Sequence, residues 1–179
     1  MATLAVARAA DTLTLVRLAV AVSLIFVLAA SRLGLAAVML VFGWATDTFD
    51  GILARRAPGM TRLGTWDATI DAMVGLGLIV GLVAGGYTPA VWLVPEFAFA
   101  GLLLFARSSA SGMLLQGIAY GWFLRTLAYE TEVGLMIMLA GISAAAIVHG
   151  HRVPRVLLPK FFADVARLKR LGHGPGGGE

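Results

Sequence analysis

Long stretches of this chain carry no charge. Leu18–Ser31, Leu33–Thr46, Ala72–Pro95, Ser108–Leu124 and Val133–Val148 are free of Asp, Glu, Lys and Arg, and a shorter run covers Phe97–Ala106. Each run must hide its apolar side chains in protein or in lipid. The chain has 179 residues, 59% of them hydrophobic and only 13% charged. Soluble domains average about 25% charged residues. With a mean hydropathy of +0.88, a soluble globular enzyme is set aside. The chain has no cysteine, which excludes a disulfide scaffold, a thiolate-bound metal and a thiol nucleophile. The composition points to one all-α domain, an integral membrane bundle of six transmembrane helices.

The Ala72–Pro95 run is interrupted by Gly85-Gly86-Tyr87-Thr88-Pro89, which is turn chemistry. Helices are expected over roughly 12–31, 34–56, 65–85, 89–107, 109–128 and 131–149. Several runs fall short of the about 20 residues that a span requires, so charged residues must lie inside the helix ends. Arg8 and Arg17 precede an apolar stretch ending in Ala29-Ala30-Ser31, a pattern shared with signal peptides. Because further apolar segments follow, this stretch reads as the first span.

The basic residues set the orientation. With the N-terminus inside, one side collects Arg8, Arg55, Arg56, Arg62, Arg107, Arg152, Arg155, Lys160, Arg167, Lys169 and Arg170, with Arg17 close by. The other side holds only Arg32 and Arg125. The positive-inside rule then makes the crowded side cytoplasmic, in the cell (plasma or inner) membrane. The basic charge is therefore read as topology, with no nucleic-acid partner. Residues 1–158 form the membrane domain. Residues 159–171 carry Phe161, Phe162, Val165 and Leu168 between basic residues, as an interfacial helix would. Gly-rich residues 172–179 read as a disordered tail. Gly77, Gly81 and Gly85 stand four apart, as do Gly117 and Gly121. That spacing lets helices approach closely, within one chain or across the seam of a homodimer, and a homodimer is expected.

Acids inside such segments are costly and mark function by default. Asp47, Asp50, Gly51 and Ala54 share one helix face, and Asp67 and Asp71 share another. The short Arg56–Gly64 connection brings these faces together. Four carboxylates need cations, and hard divalent ions such as Mg²⁺ or Mn²⁺ take oxygen ligands and favour phosphates. The alternative is that the acids pair with Arg17, Arg55, Arg56 and Arg62 as buried salt bridges.

The stretch Asp47-Thr-Phe-Asp50-Gly51-Ile-Leu-Ala54-Arg55, then eight residues, Gly64, and Asp67-xxx-Asp71 resembles the signature of the CDP-alcohol phosphotransferases. Asp11-Thr-Leu-Thr14-Leu-Val-Arg17 is similar to that family's opening motif, where Asn usually holds the first place. One departure is visible: two residues separate Gly64 from Asp67, where the family has three. The resemblance implies a CDP-alcohol lipid donor, a small alcohol acceptor, attack on the β-phosphorus and release of CMP. It also implies two Mg²⁺ or Mn²⁺ ions on Asp47, Asp50, Asp67 and Asp71, with Asp71 also the general base. Asp47, Asp50, Gly51, Ala54, Arg55, Thr14 and Arg17 would bind the CDP-alcohol. CDP-diacylglycerol is the expected donor, and the acceptor cannot be read from the residues.

Arg107, Ser108 and Ser109, near the same end, are candidates for an acceptor pocket. Glu96 follows Pro95 and reads as a helix-kink acid near the outer interface, while Gln116, Tyr120 and Ser143 read as interhelical hydrogen-bond partners. His149 and His151 stand two apart and so diverge on a helix. Two readings compete with the enzyme. One is an inactive family member that serves as a metal- or nucleotide-binding scaffold. The other is a small cation transporter, which would not need Gly51 and Ala54 at their offsets.

Overall fold

The computed structural model describes residues 2–56, 66–106, 109–149, 159 and 162–163, and for residues 2–5, 7, 50–56, 67–68, 106, 109 and 149 it describes the backbone alone. Among the described residues the chain is all helical, with no strand. Six α-helices follow in order: α1 Ala2–Ala29, α2 Leu33–Arg56, α3 Asp67–Ala84, α4 Leu93–Ala106, α5 Ser109–Glu130 and α6 Glu132–His149. A 3₁₀ turn, Ala90–Trp92, precedes α4. Pro95 explains why this turn stays separate from α4. Proline has no N–H to donate to the carbonyl four residues back, and it is tolerated only in a helix's first turn.

The first helix departs from expectation. It begins at Ala2 rather than near residue 12, and so takes Arg8 and Asp11 into a regular helix. The extension Ala-Thr-Leu-Ala-Val-Ala-Arg-Ala-Ala is rich in strong helix formers and has no Gly or Pro to stop it. Of the expected interfacial helix only residues 159, 162 and 163 are described, all helical. The rest of 159–171, the 172–179 tail and the Gly64 connection lie outside the described residues.

The turns have identifiable caps. After α1, Ser31 N–H bonds to Leu28 O and Arg32 N–H to Val27 O, with Ser31 at φ 57°. After α3, Gly86 N–H bonds to Val83 O and Tyr87 N–H to Leu82 O, with Gly86 at φ 78°. Both are Schellman closures, which satisfy carbonyls that a helix end leaves without partners. Thr131 caps α6 by accepting from Gly134 N–H at 3.3 Å.

Helix α1 packs against α2 and α3, α3 against α5, α2 against α6, and α4 against α5 and α3. The core is Leu24, Leu28, Ala36, Ala37, Leu40, Leu78, Ile79, Leu82, Phe123 and Leu127, all fully buried. The glycines at positions 77, 81 and 85 bring α3 onto α1. A Cβ at Gly77 would fall on the carbonyl oxygen of Ala21; at Gly81 it would lie 2.9 Å from Leu24 O, and at Gly85 2.6 Å from Leu28 O. This ladder therefore serves packing within the chain. Around Gly117 and Gly121 an added Cβ would meet nothing within 4 Å.

The outward faces are apolar. Phe26, Phe42, Val94, Phe97, Phe105 and Ile147 are all exposed, Phe105 at 92%. By length and composition one helical segment among the described residues, Arg8–Ala29, with mean hydropathy 2.3, is long and apolar enough to cross a bilayer. Leu33–Phe49, Thr69–Ala84, Ala90–Phe105 and Glu132–Val148 are apolar but shorter. The expected number of helices is present. Among the described residues one segment is clearly of span length and apolar, so the helix count matches the expected six while span length is clear for one of them.

Candidate functional site

Helices α1, α2 and α3 meet around one guanidinium. Arg17 sits in mid-α1, buried, and its Nη1 donates to Asp47 Oδ1 and to Asp71 Oδ1, each at 2.5 Å. One Nη nitrogen carries two hydrogens, so it serves both acids. The connectivity accounts for the convergence. Asp47 lies in the second half of α2 and Asp71 in the second turn of α3. The chain reverses between these helices, which places both acids at one end of the bundle. The acids face outward from the pair: the Asp47 side chain is 49% exposed and that of Asp71 31%, against 2% for Arg17.

Behind the acids lies a cavity of about 90 Å³ lined by Arg17, Gly43, Trp44, Asp47, Asp71, Val74, Gln116 and Tyr120. Trp44 is one helical turn before Asp47. Its indole Nε1 donates to the Tyr120 hydroxyl at 3.3 Å, and the two rings meet edge to face with centroids 5.5 Å apart. This is the interhelical bond expected of Tyr120. Gln116, one turn away on α5, lines the same cavity. Ser143 differs from expectation: its hydroxyl donates to Leu139 O at 2.8 Å within its own helix, because α6 exposes that face and offers no partner helix.

The other sequence candidates are placed as follows. Thr14 lies one turn before Arg17, buried, and its hydroxyl donates to Ala10 O at 3.2 Å. Asp50, Gly51, Ala54 and Arg55 continue α2 beyond Asp47, and Asp67 opens α3. Their side chains lie outside the description. Arg107 and Ser108 lie outside the described residues, and Ser109 contributes the first backbone position of α5. Among the described residues no group of three or more His, Cys, Asp or Glu gathers. The expected four-acid group also includes Asp50 and Asp67, whose side chains are not among those described. The donor chemistry of the described pair suits a hard cation, since carboxylate oxygen is the donor that Mg²⁺ and Mn²⁺ prefer, while Asp47 Oδ1 and Asp71 Oδ1 are engaged by Arg17.

Trp44, Gly43, Val74 and Gln116 were not legible as site residues. The signal for Trp44 was its i−3 relation to Asp47, which puts it on the acid face. For Gln116 and Tyr120 the i, i+4 spacing shows a shared face, but not that this face meets α2.

Glu96 stands apart from this site. It lies in the first turn of α4, fully buried, and neither carboxylate oxygen has a hydrogen-bond partner among the described residues. The first-turn position gives it the favourable end of the helix dipole.

A model of the CDP-alcohol phosphatidyltransferase family matches residues 7–142, a stretch that takes in Thr14, Arg17 and every signature acid. No curated protein and no solved structure matches the chain.

Proposed function

Because the chain belongs to the CDP-alcohol phosphatidyltransferase family, we propose that it is a membrane enzyme of phospholipid synthesis. In this reading it transfers the phosphatidyl group of CDP-diacylglycerol to a small alcohol. Members of the family take CDP-alcohols as donors and alcohols as acceptors, and they generally depend on a divalent metal. The observation that carries the reading is that α2 and α3 bring two signature acids, Asp47 and Asp71, to one place within the family match; there they share Arg17 Nη1, the ion pairing given above as the alternative for these acids. The apolar outward faces of the helices support a bilayer setting, and the basic-residue bias supports a site that opens to the cytoplasm. The homodimer belongs to the same proposal.

Asp47, Asp50, Asp67 and Asp71 would hold two Mg²⁺ or Mn²⁺ ions. When bound, such ions neutralise the diphosphate and lower the barrier to departure of the CMP oxygen. Asp71 takes the proton of the acceptor hydroxyl. The acceptor oxygen bonds to the β-phosphorus, the bond from that phosphorus to the bridging oxygen breaks, and CMP leaves with the electron pair. Gly51 and Ala54 leave the α2 backbone open to the cytidine diphosphate, and Arg55, with Thr14 and Arg17, serves the phosphates. Arg17 keeps the α2 and α3 acids together between turnovers. Arg107, Ser108 and Ser109 are assigned to the acceptor.

The test is CMP release from CDP-diacylglycerol by the purified protein. Glycerol phosphate, inositol, inositol phosphate and serine are offered in turn. One acceptor should support release with Mg²⁺ or Mn²⁺, and excess EDTA should stop it. Full turnover in EDTA would remove the two-metal assignment, and silence with every acceptor would favour the binding scaffold.

A further inference from the structure

A second groove lies at the other end of the bundle. Helix α3 leaves the acid end at Asp67 and finishes at Ala84, so the turn that leads to Trp92 is at the far end. There Trp92, Gly117, Ile118, Gly121, Trp122 and Arg125 line an open groove of about 300 Å³. None of these residues lines the acid-site cavity. The floor is bare helix: a Cβ at Gly117 or Gly121 would meet nothing within 4 Å. Trp92 and Trp122 form a wall, edge to face, with centroids 5.3 Å apart. Arg125 stands at the mouth. Its guanidinium lies 5.1 Å from the Trp122 ring and 5.2 Å from the Tyr129 ring, and among the described residues it has no ion pair.

We propose that this groove binds an anionic phospholipid, with an acyl chain over Gly117 and Gly121 and the phosphate on Arg125. The inference rests on the membrane setting argued above. Two turns of apolar floor select a hydrocarbon chain, and a cation without a carboxylate partner selects an anion. A phospholipid joins the two at this spacing. The aromatic rings hold the guanidinium in place without neutralising it. A zwitterionic headgroup carries its own cation and gains less. A second copy fits worse. Gly117, Gly121 and Arg125 are spaced i, i+4, i+8, so a parallel pair that met at the glycines would bring each Arg125 against its own copy in a poorly screened setting.

The full chain is reconstituted in phosphatidylcholine bilayers. Increasing fractions of either phosphatidylglycerol or phosphatidylcholine with brominated acyl chains are added, and tryptophan fluorescence is read. Trp44 and Trp66 give a background common to both lipids. Half-maximal quenching should need about fivefold less brominated phosphatidylglycerol, the equivalent of the ~1 kcal/mol typical of a basic side chain at an anionic surface. Arg125→Gln should erase the preference, Arg125→Lys should keep it, and Gly117→Leu should reduce quenching by both lipids. Equal quenching in the wild type, or a preference that survives Arg125→Gln, overturns the proposal. So does efficient disulfide cross-linking of Gly121→Cys without a lipid preference, which assigns the groove to a second copy. Absence of quenching by either lipid would instead remove the membrane setting itself.

Discussion

Replacing Arg17 with methionine removes the positive charge that two carboxylates share but keeps an apolar stem of similar reach in a buried position. Asp47 Oδ1 and Asp71 Oδ1 each lie 2.5 Å from the same nitrogen, so they are at most about 5 Å apart. Two unit charges at that distance repel by about 3 kcal/mol at an effective dielectric of about 20. Exposure of the acids screens part of this, and loss of the guanidinium's own attraction adds to it. Breaking a buried ion pair typically costs about 3–5 kcal/mol. The half-exposed Asp47 places this case at the low end, so about 3 kcal/mol is expected. For a chain of this size that corresponds to a fall in Tm of about 6–12 °C. The assay is thermal unfolding of the purified protein at pH 8, first in EDTA and then in Mg²⁺. A divalent ion supplies charge where Arg17 no longer does, so Mg²⁺ should raise the Tm of Arg17→Met by more than it raises that of the wild type. An unchanged Tm in EDTA would refute the bridging role. No Mg²⁺ increment in either protein would show that the ion does not bind at these oxygens.

Asp71→Asn should abolish CMP release while CDP-alcohol binding stays measurable by equilibrium titration, whereas Asp67→Asn should weaken metal binding as well. Gly77→Leu should cost about 3 kcal/mol, seen as lost thermal stability, because the new side chain starts on the Ala21 carbonyl of α1; tolerance of leucine there would contradict the close α1–α3 approach. With no native cysteine, Gly59→Cys reports topology directly. It should resist an impermeant thiol reagent in intact cells and react once the membrane is opened, and labelling from outside would reverse the orientation.

The site was legible as far as one-dimensional spacing reaches. Acids at 47, 50, 67 and 71 announce two helix faces because a helix repeats every 3.6 residues, and a short connection implies that those faces meet. Arg17 was harder to place. In sequence it stood in the opening motif and among the arginines that could pair with the acids, but nothing there said that it alone would reach both Asp47 and Asp71. Its depth in the bundle follows from α1 extending back to Ala2, which turns an expected helix start into a helix middle.

The two glycine ladders mark the limit most clearly. Gly77-Gly81-Gly85 and Gly117-Gly121 have the same spacing, and periodicity gives them the same meaning. In the tertiary structure the first is closed by the backbone of α1 and the second opens on a groove. Likewise, the spacing of Gln116 and Tyr120 shows that they share a face but not that they face Trp44 and the acids. Composition determined the helical class, and the signature spacing singled out Asp47 and Asp71, which the structure brings to one guanidinium. Which face of α5 meets α2 and α3 was decided by packing, because a helix's rotation about its own axis is set by the fit of side chains on several helices at once.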